Sequence, residues 1–169
     1  MNATALLSEK ARAGIDAALA KYPPDRRESA VMAALTIAQC EKGYLTNEVM
    51  DYIAQYIGMP AMAVYEVATF YTMYDLKPVG RFKLSICTNL PCALRGANDA
   101  ADHLKRKLGI GWNETTSDGR FTLKEGECFG ACGDAPVMLV NNKKMVSFMS
   151  AERLDRLTAH PDQFLSEQP

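Results

Sequence analysis

The chain has 169 residues, a length that suits one sizeable domain or a small domain with a helical extension. Its composition, with 48% hydrophobic and 23% charged residues, is ordinary for a globular protein and excludes a disordered or fibrous chain. A net charge of −1, without a long Lys/Arg block, argues against nucleic acid or an anionic membrane surface as the main partner.

The sequence predicts a cytoplasmic protein without direct membrane insertion. No run of residues approaches the roughly 20 apolar positions that a membrane-spanning helix needs. The N-terminal segment lacks the basic-then-apolar order of a signal peptide. In a reducing compartment, the five cysteines are expected to be ligands, catalysts or core residues rather than disulfide partners.

The residues before Pro78 show the apolar spacing of amphipathic helices. Thr46 is placed to cap one helix at its N-terminus, and Gly43 and Gly58 have the positions of helix-ending glycines. We therefore predict an N-terminal helical bundle over residues 1–78. Its helices are expected over residues 6–20, 27–43, 47–57 and 60–74.

The pattern changes after Gly80, where alternation of apolar and polar residues replaces the helical spacing. The order of the elements, strand, helix, three strands and helix, predicts an α/β layer of the thioredoxin kind over residues 79–169. The fold class is therefore α/β, with a helical bundle followed by a thioredoxin-like domain. The predicted elements are a strand over 81–88, a helix over 91–108, a strand from 121 towards Cys128, a hairpin of 137–140 and 145–149, and a helix from Ser150.

Four of the cysteines form two pairs, each of which follows a predicted strand. Cys87 and Cys92 enclose four residues, and Cys128 and Cys132 enclose three. Strand ends of an α/β sheet are where ligand sites collect, so two loops at one end of the sheet can bring the four sulfurs together. The remaining cysteine, Cys40, has no paired cysteine and is expected to be a core or partly buried residue of a helix rather than a ligand.

The residues around the two pairs suit a metal–sulfur site. Pro91 begins a predicted helix at Cys92, where the positive end of the helix dipole favours thiolate over thiol. Gly130 and Gly133 flank the second pair, where missing Cβ atoms leave room for sulfur and amides can hydrogen-bond to it. Three apolar neighbours are expected to restrict water at the site: Leu90, Phe129 and Ala131.

Three kinds of site compete for these four cysteines. A [2Fe–2S] cluster suits the wide loops, with Cys87 and Cys92 on one iron and Cys128 and Cys132 on the other. Structural zinc also takes four thiolates but favours tighter Cys-x2-Cys loops, so a zinc-stabilised interaction module remains an alternative. A redox dithiol usually has the Cys-x2-Cys spacing, which neither pair shows.

Three segments of the chain carry a family resemblance. Cys-Thr-Asn-Leu-Pro-Cys-Ala-Leu-Arg-Gly, from Cys87, closely resembles the thioredoxin-like iron–sulfur (E-type) subunit of bacterial NADH:quinone oxidoreductase, respiratory complex I. So does Glu-Cys-Phe-Gly-Ala-Cys-Gly-Asp-Ala-Pro-Val-Met, from Glu127. The upstream segment Val-Tyr-Glu-Val-Ala-Thr-Phe-Tyr, from Val64, is similar to that family as well. The resemblance extends over nearly the whole chain, as far as Met149.

The resemblance implies one [2Fe–2S] cluster on the paired cysteines of a thioredoxin-like domain. It implies a partner subunit that binds FMN and NADH, within a peripheral arm at the cytoplasmic side of the inner membrane. The implied role is electron transfer, accepting or holding single electrons from reduced flavin. No catalytic acid, base or nucleophile set is evident, so the chain is expected to be part of an enzyme rather than an enzyme alone. The nearest alternative is the equivalent subunit of a soluble NAD-dependent formate dehydrogenase or NAD-reducing hydrogenase, which shares the motif.

The stretch from Tyr65 to Tyr74 has two interpretations. It is apolar or aromatic nearly all round, which fits a core helix that is buried on more than one side. It also fits a docking surface for the flavin subunit, since interfaces favour Tyr, Phe and Met.

Overall fold

The structure is a computed structural model that describes residues 6–168. The N-terminal segment that is predicted not to be a signal peptide includes residues 1–5, which lie outside the described residues. Two compact units make up the chain, one ending at Pro78 and the other beginning at Val79. Within residues 6–168, no helix is both long and apolar enough to cross a membrane.

The first unit consists of helices whose apolar faces form one core. Local sequence caps two of them: the Ser8 hydroxyl accepts from the Ala11 amide, and the Thr46 hydroxyl accepts from the Val49 amide. The predicted cap at Thr46 is thereby confirmed. The helices are α1 (Glu9–Leu19), a 3₁₀ helix (Pro24–Ala30), α2 (Val31–Lys42), α3 (Asn47–Ile57) and α4 (Ala61–Phe70).

Two of these helices differ from the sequence prediction at their ends. Residues 27–30 belong to the 3₁₀ helix rather than to an α-helix, and this 3₁₀ helix is kinked at Arg26 (φ −129°, ψ 30°). The fourth helix ends at Phe70 rather than near residue 74, since Tyr71 is extended (φ −87°, ψ 117°). Tyr74 instead donates its hydroxyl proton to an α2 carbonyl at 2.9 Å, which draws its side chain into the core.

The second unit is a five-stranded mixed sheet with helices, which confirms the predicted α/β class. Its strands are β1 (Phe82–Cys87), β2 (Glu114–Thr115), β3 (Phe121–Gly126), β4 (Met138–Val140) and β5 (Lys144–Val146). Its helices are α5 (Leu90–Ala93), α6 (Ala97–Leu108), a 3₁₀ turn (Cys132–Asp134), α7 (Ala151–Ala159) and α8 (Pro161–Ser166). The strand order is β2-β3-β1-β4-β5, in which β1 and β3 are parallel and the other neighbours are antiparallel.

The central strand β1 is buried along its whole length, not half-buried as its alternating sequence predicts. All six of its residues are buried, and even Lys83 is only 3% exposed. Strand alternation describes the two faces of a strand but does not reveal what covers them. The tertiary arrangement therefore decides the burial of this strand.

Other departures from the sequence prediction lie at turns. The helix predicted over residues 91–108 is divided into α5 and α6, because Gly96 between them has a left-handed φ of 88°. The last helix is divided as well, since His160 (φ −133°) separates α7 from α8. The predicted hairpin is confirmed as β4 and β5, with Asn141 and Asn142 at positive φ in its turn.

Candidate metal centre

Cys87 stands at the end of the central strand, and the second cysteine loop is anchored on either side of it. The Cys87 amide donates to the Val137 carbonyl at 3.0 Å, and its thiol donates to the Glu127 carbonyl at 3.3 Å. These two carbonyls lie at the two ends of the connection that carries Cys128 and Cys132. Both cysteine loops therefore start from the same edge of the sheet, as their positions after strands predict.

Cys92 forms a buried pair with Cys87, since the two residues are 1% and 2% exposed. Burial raises the pKa of the Cys92 thiol, and its hydrogen bond with Cys87 and the nearby Cys132 raise the pKa further. The pKa of Cys92 is therefore raised overall, against the prediction that its place at the start of a helix favours the thiolate, because burial is the largest influence on it. The other buried members of this cysteine cluster are Ala97, Ala135 and Val137.

Cys128 and Cys132 are exposed on the loop between β3 and β4. Cys132 begins the 3₁₀ turn and lies close enough to Cys92 to influence its pKa. Within residues 6–168, no group of three or more His, Cys, Asp or Glu side chains is close enough together to hold a metal ion. The structure thus assembles the first cysteine pair and leaves the second at the surface of the same sheet edge.

The predicted core position of Cys40 is wrong. Cys40 is exposed on α2, whereas Ala38 and Leu35 of the same helix are completely buried. A thiol outside the two pairs is therefore accessible to solvent and has no part in the candidate centre.

Phe129 and Gly126 make a contact that the sequence prediction missed. A Cβ atom on Gly126 would overlap the end of the Phe129 ring, so the ring occupies space that glycine leaves free. The available signal was a glycine within a strand, which often marks a close approach. Phe129 and Ala131 pack against the cysteine cluster, as their apolar character predicts, whereas Leu90 is 69% exposed and covers little.

The two glycines that flank the second pair differ from their predicted role. Gly130 has a φ of 73°, so glycine is favoured there by the backbone rather than by crowding. A Cβ atom at Gly133 would meet no described atom within 4 Å. A side chain would therefore have room at both Gly130 and Gly133.

The four cysteines fit a metal–sulfur group in their donor chemistry, and their two loops leave the same edge of the sheet. Thiolates are the ligands of [2Fe–2S] clusters, and they also bind zinc. Cys87 and Cys92 offer two adjacent sulfurs that the sheet holds in place, and the adjoining loop supplies two more. A coordinating metal deprotonates thiols outright, which reverses the effect of burial on Cys92.

The fold is that of an α/β protein whose two cysteine loops leave one edge of a mixed sheet. The chain belongs to the thioredoxin-like [2Fe-2S] ferredoxin family, whose family model matches residues 15–160. This membership confirms the predicted fold class, including its thioredoxin-like part, and favours an iron–sulfur cluster over zinc.

The chain is also similar to individual members of one group of proteins within this family. The chain is 49% identical over 146 residues to an E-type NADH-quinone oxidoreductase subunit of Rhizobium meliloti, covering 86% of this chain and 85% of the relative. It is 46% identical over 123 residues to the E-type NADH-quinone oxidoreductase subunit of Rickettsia conorii, covering 72% and 74% of the two chains. The predicted resemblance to this family of complex I subunits is therefore confirmed.

A solved structure is similar in fold. The NAD+-reducing [NiFe]-hydrogenase in the air-oxidized state superposes with a TM-score of 0.66 over 82% of this chain. The sequence identity is 21%, and the match spans only 23% of the hydrogenase chain. The likeness therefore concerns the fold alone.

Proposed function

We propose that this chain is the electron-transfer subunit of the NADH-oxidising module of an NADH:quinone oxidoreductase, with one [2Fe–2S] cluster on Cys87, Cys92, Cys128 and Cys132. The observation that carries the proposal is the anchoring of the second cysteine loop on both sides of Cys87, next to the buried Cys92. When bound, the cluster supplies one-electron transfer. The family membership and the E-type relatives support this assignment.

Different residues of the chain would hold the proposed cluster and shield it from water. The end of β1 and the short helix α5 hold Cys87 and Cys92 in a fixed, dry position. Phe129 covers that pair from the adjoining loop and limits the access of water, which influences a reduction potential. Cys128 and Cys132 are exposed, so they are the two thiols that iron and sulfide from solution can reach directly.

The proposed partner is a subunit that binds FMN and NADH and exchanges single electrons with the cluster. Helix α4 supports this, because one side of it is buried through Val64 and Ala68 while Met62 and Phe70 are 70% and 78% exposed. The Phe70 ring also meets the Tyr71 ring edge-on at 5.1 Å, which forms an exposed aromatic pair of the kind that interfaces favour. Through this partner the chain would join a peripheral arm at the cytoplasmic side of the inner membrane.

The composition of the purified protein tests the proposal. The chain is purified without oxygen, and iron, acid-labile sulfide and zinc are measured per chain. A red-brown protein with about two irons, and a rhombic EPR signal near g of about 2 after dithionite reduction, is the expected result. A colourless protein that contains zinc and no iron would overturn the proposal in favour of a zinc-stabilised interaction module.

A second candidate is the equivalent subunit of a soluble NAD-dependent formate dehydrogenase or NAD-reducing hydrogenase. Its support is the two-pair cysteine motif on which the family resemblance rests, since the likeness to the hydrogenase structure concerns the fold alone. Affinity purification from the native host decides between the two. Membrane subunits of a quinone reductase in the purified complex support the first candidate, and a hydrogenase or formate dehydrogenase subunit in their place supports the second.

A further inference from the structure

We propose that a groove on the second unit binds an extended acidic segment of a partner chain. The groove encloses about 510 Å³ between α6 and the connection from β5 to α7. Its lining is mostly apolar between the positions of two arginines. The side chains that the argument uses are Arg95, Asp99, His103, Arg106, Pro136 and Phe148.

Two arginines supply unpaired positive charge at the groove. Arg95 precedes α6 and Arg106 lies in its last turn, and both are exposed. Neither has a carboxylate partner among the residues that the structure describes. His103, which lies between them, is already paired with Asp155 at 2.8 Å, so the free charge of the groove belongs to the arginines.

The separation of the arginines selects the shape of the ligand. Arg106 is nine residues after Ala97, the first residue of α6, which corresponds to about 14 Å at the helical rise of about 1.5 Å per residue, and Arg95 lies two residues before Ala97. An extended peptide covers about 15 Å with four or five residues, so a single segment can offer one carboxylate to each arginine. Asp99 lies between them and repels a carboxylate at the middle of the segment. The complementary segment therefore has acidic residues at its two ends and apolar residues between them.

Phe148 supplies an aromatic wall to the groove. It has a φ of 53°, an unusual conformation for a bulky residue, and it is 53% exposed. Its amide donates to the Asp134 carbonyl at 2.8 Å, and its carbonyl accepts from the Ser150 amide at 2.8 Å. Such strain persists only where surrounding contacts hold it. These contacts keep an aromatic ring at the surface, where it can pack against a partner.

The groove adjoins the candidate metal centre. Ala135 and Pro136 line it, and Ala135 is also a buried member of the cysteine cluster. A segment in the groove would thus lie along the loop that carries Cys132, three residues before Ala135. The inference rests on the proposed function only in that a partner chain exists, and it does not depend on which metal the cysteines hold.

Photocrosslinking in the assembled complex tests the inference. The variant Phe148→p-benzoylphenylalanine is expressed in the native host, the complex is irradiated, and the crosslinked peptides are identified by mass spectrometry. The expected product joins Phe148 to a partner stretch with two Asp or Glu residues four or five positions apart. Crosslinks within this chain alone, or to a stretch without such acids, overturn the inference.

Neutral substitutions of the arginines test its electrostatic part. Arg95→Gln and Arg106→Gln are each expected to weaken binding of the crosslinked partner about tenfold. The control Lys143→Gln, on an exposed turn residue that does not line the groove, should change it less than about twofold. The inference is overturned if all three variants weaken binding equally, or if no variant weakens it. Iron content is measured in parallel, so that a chain without a cluster that still crosslinks to the acidic stretch contradicts the proposed function alone.

Discussion

Cys87 and Gly126 lie opposite each other in the parallel register of β1 and β3, each as the last residue of its strand. Because the two strands end together, the chain leaves the sheet at one edge towards Cys92 and at the same edge towards Cys128. The Thr88 amide continues the pairing by donating to the Gly126 carbonyl at 2.9 Å. The register of one strand pair thereby brings two distant sequence motifs to one place.

Cysteine variants test the proposed ligands. Cys128→Ser and Cys132→Ser are each expected to remove most of the bound iron, because serine is a poor ligand where four thiolates hold a cluster. Cys40→Ser serves as the matched control, since Cys40 is also exposed but lies outside the two pairs. It should retain about two irons per chain. Equal iron loss in all three variants, measured by metal analysis and absorption, would count against the assignment.

Gly126→Ala is expected to lower the Tm by roughly 2–6 °C, because its Cβ atom would overlap the end of the Phe129 ring and the ring would have to move. The effect should be smaller in a Phe129→Ala background, where the ring is absent. Thermal unfolding followed by circular dichroism measures the four proteins of this cycle. Gly133→Ala is the control, since its Cβ atom meets nothing within 4 Å and its φ is not left-handed. A cost of Gly126→Ala that is the same in both backgrounds would refute the steric explanation.

Asp155 makes the stability dependent on pH through its contacts with α6. It accepts a hydrogen bond from Lys107 at 2.6 Å and is paired with His103 at 2.8 Å. The Lys107 contact first, and then the His103 contact, lower the pKa of Asp155 below its ordinary value of 3.8. A lowered pKa in the folded state means that the stabilisation is present above pH 3.8 and is lost as the pH falls through the lowered pKa.

The corresponding experiment compares the Tm of the wild type with that of Asp155→Asn between pH 7 and pH 2. The wild type should be more stable at pH 7, and the difference should shrink towards the acid end of the range. Asp102→Asn is the control, since Asp102 has only a 3.5 Å contact with Lys105 on its own helix. A difference between wild type and Asp155→Asn that does not vary with pH would contradict the linkage.

Asp134 is a negative charge on the loop of the second cysteine pair. Its carboxylate accepts a hydrogen bond from the Ser147 hydroxyl at 3.3 Å, which asparagine can also accept. Asp134→Asn is therefore expected to raise the reduction potential by roughly 10–50 mV, the range for one partly solvated charge. Redox titration followed by EPR measures the shift, with Asp102→Asn as the charge-matched control. An unchanged midpoint potential would show that solvent screens this carboxylate.

Local sequence determined the features that depend on neighbours within one turn or one strand. The Thr46 hydroxyl caps α3 as predicted, and the Ser150 hydroxyl caps α7 at the predicted start of the last helix, because an N-cap bonds to an amide three residues away. The sequence alone also determines how many residues separate the paired cysteines. It likewise places each pair directly after a predicted strand. This local information was sufficient to predict the α/β class and to propose the four candidate ligands.

Only the tertiary structure decided the properties that depend on what packs against a residue. It buried Lys83 in the central strand and placed Cys40 at the surface, both against their local patterns. It joined Gly126 to Phe129 and raised the pKa of Cys92, because these effects come from contacts and burial that no periodicity records. Periodicity shows which residues share a face, whereas burial and electrostatics depend on the elements that cover that face.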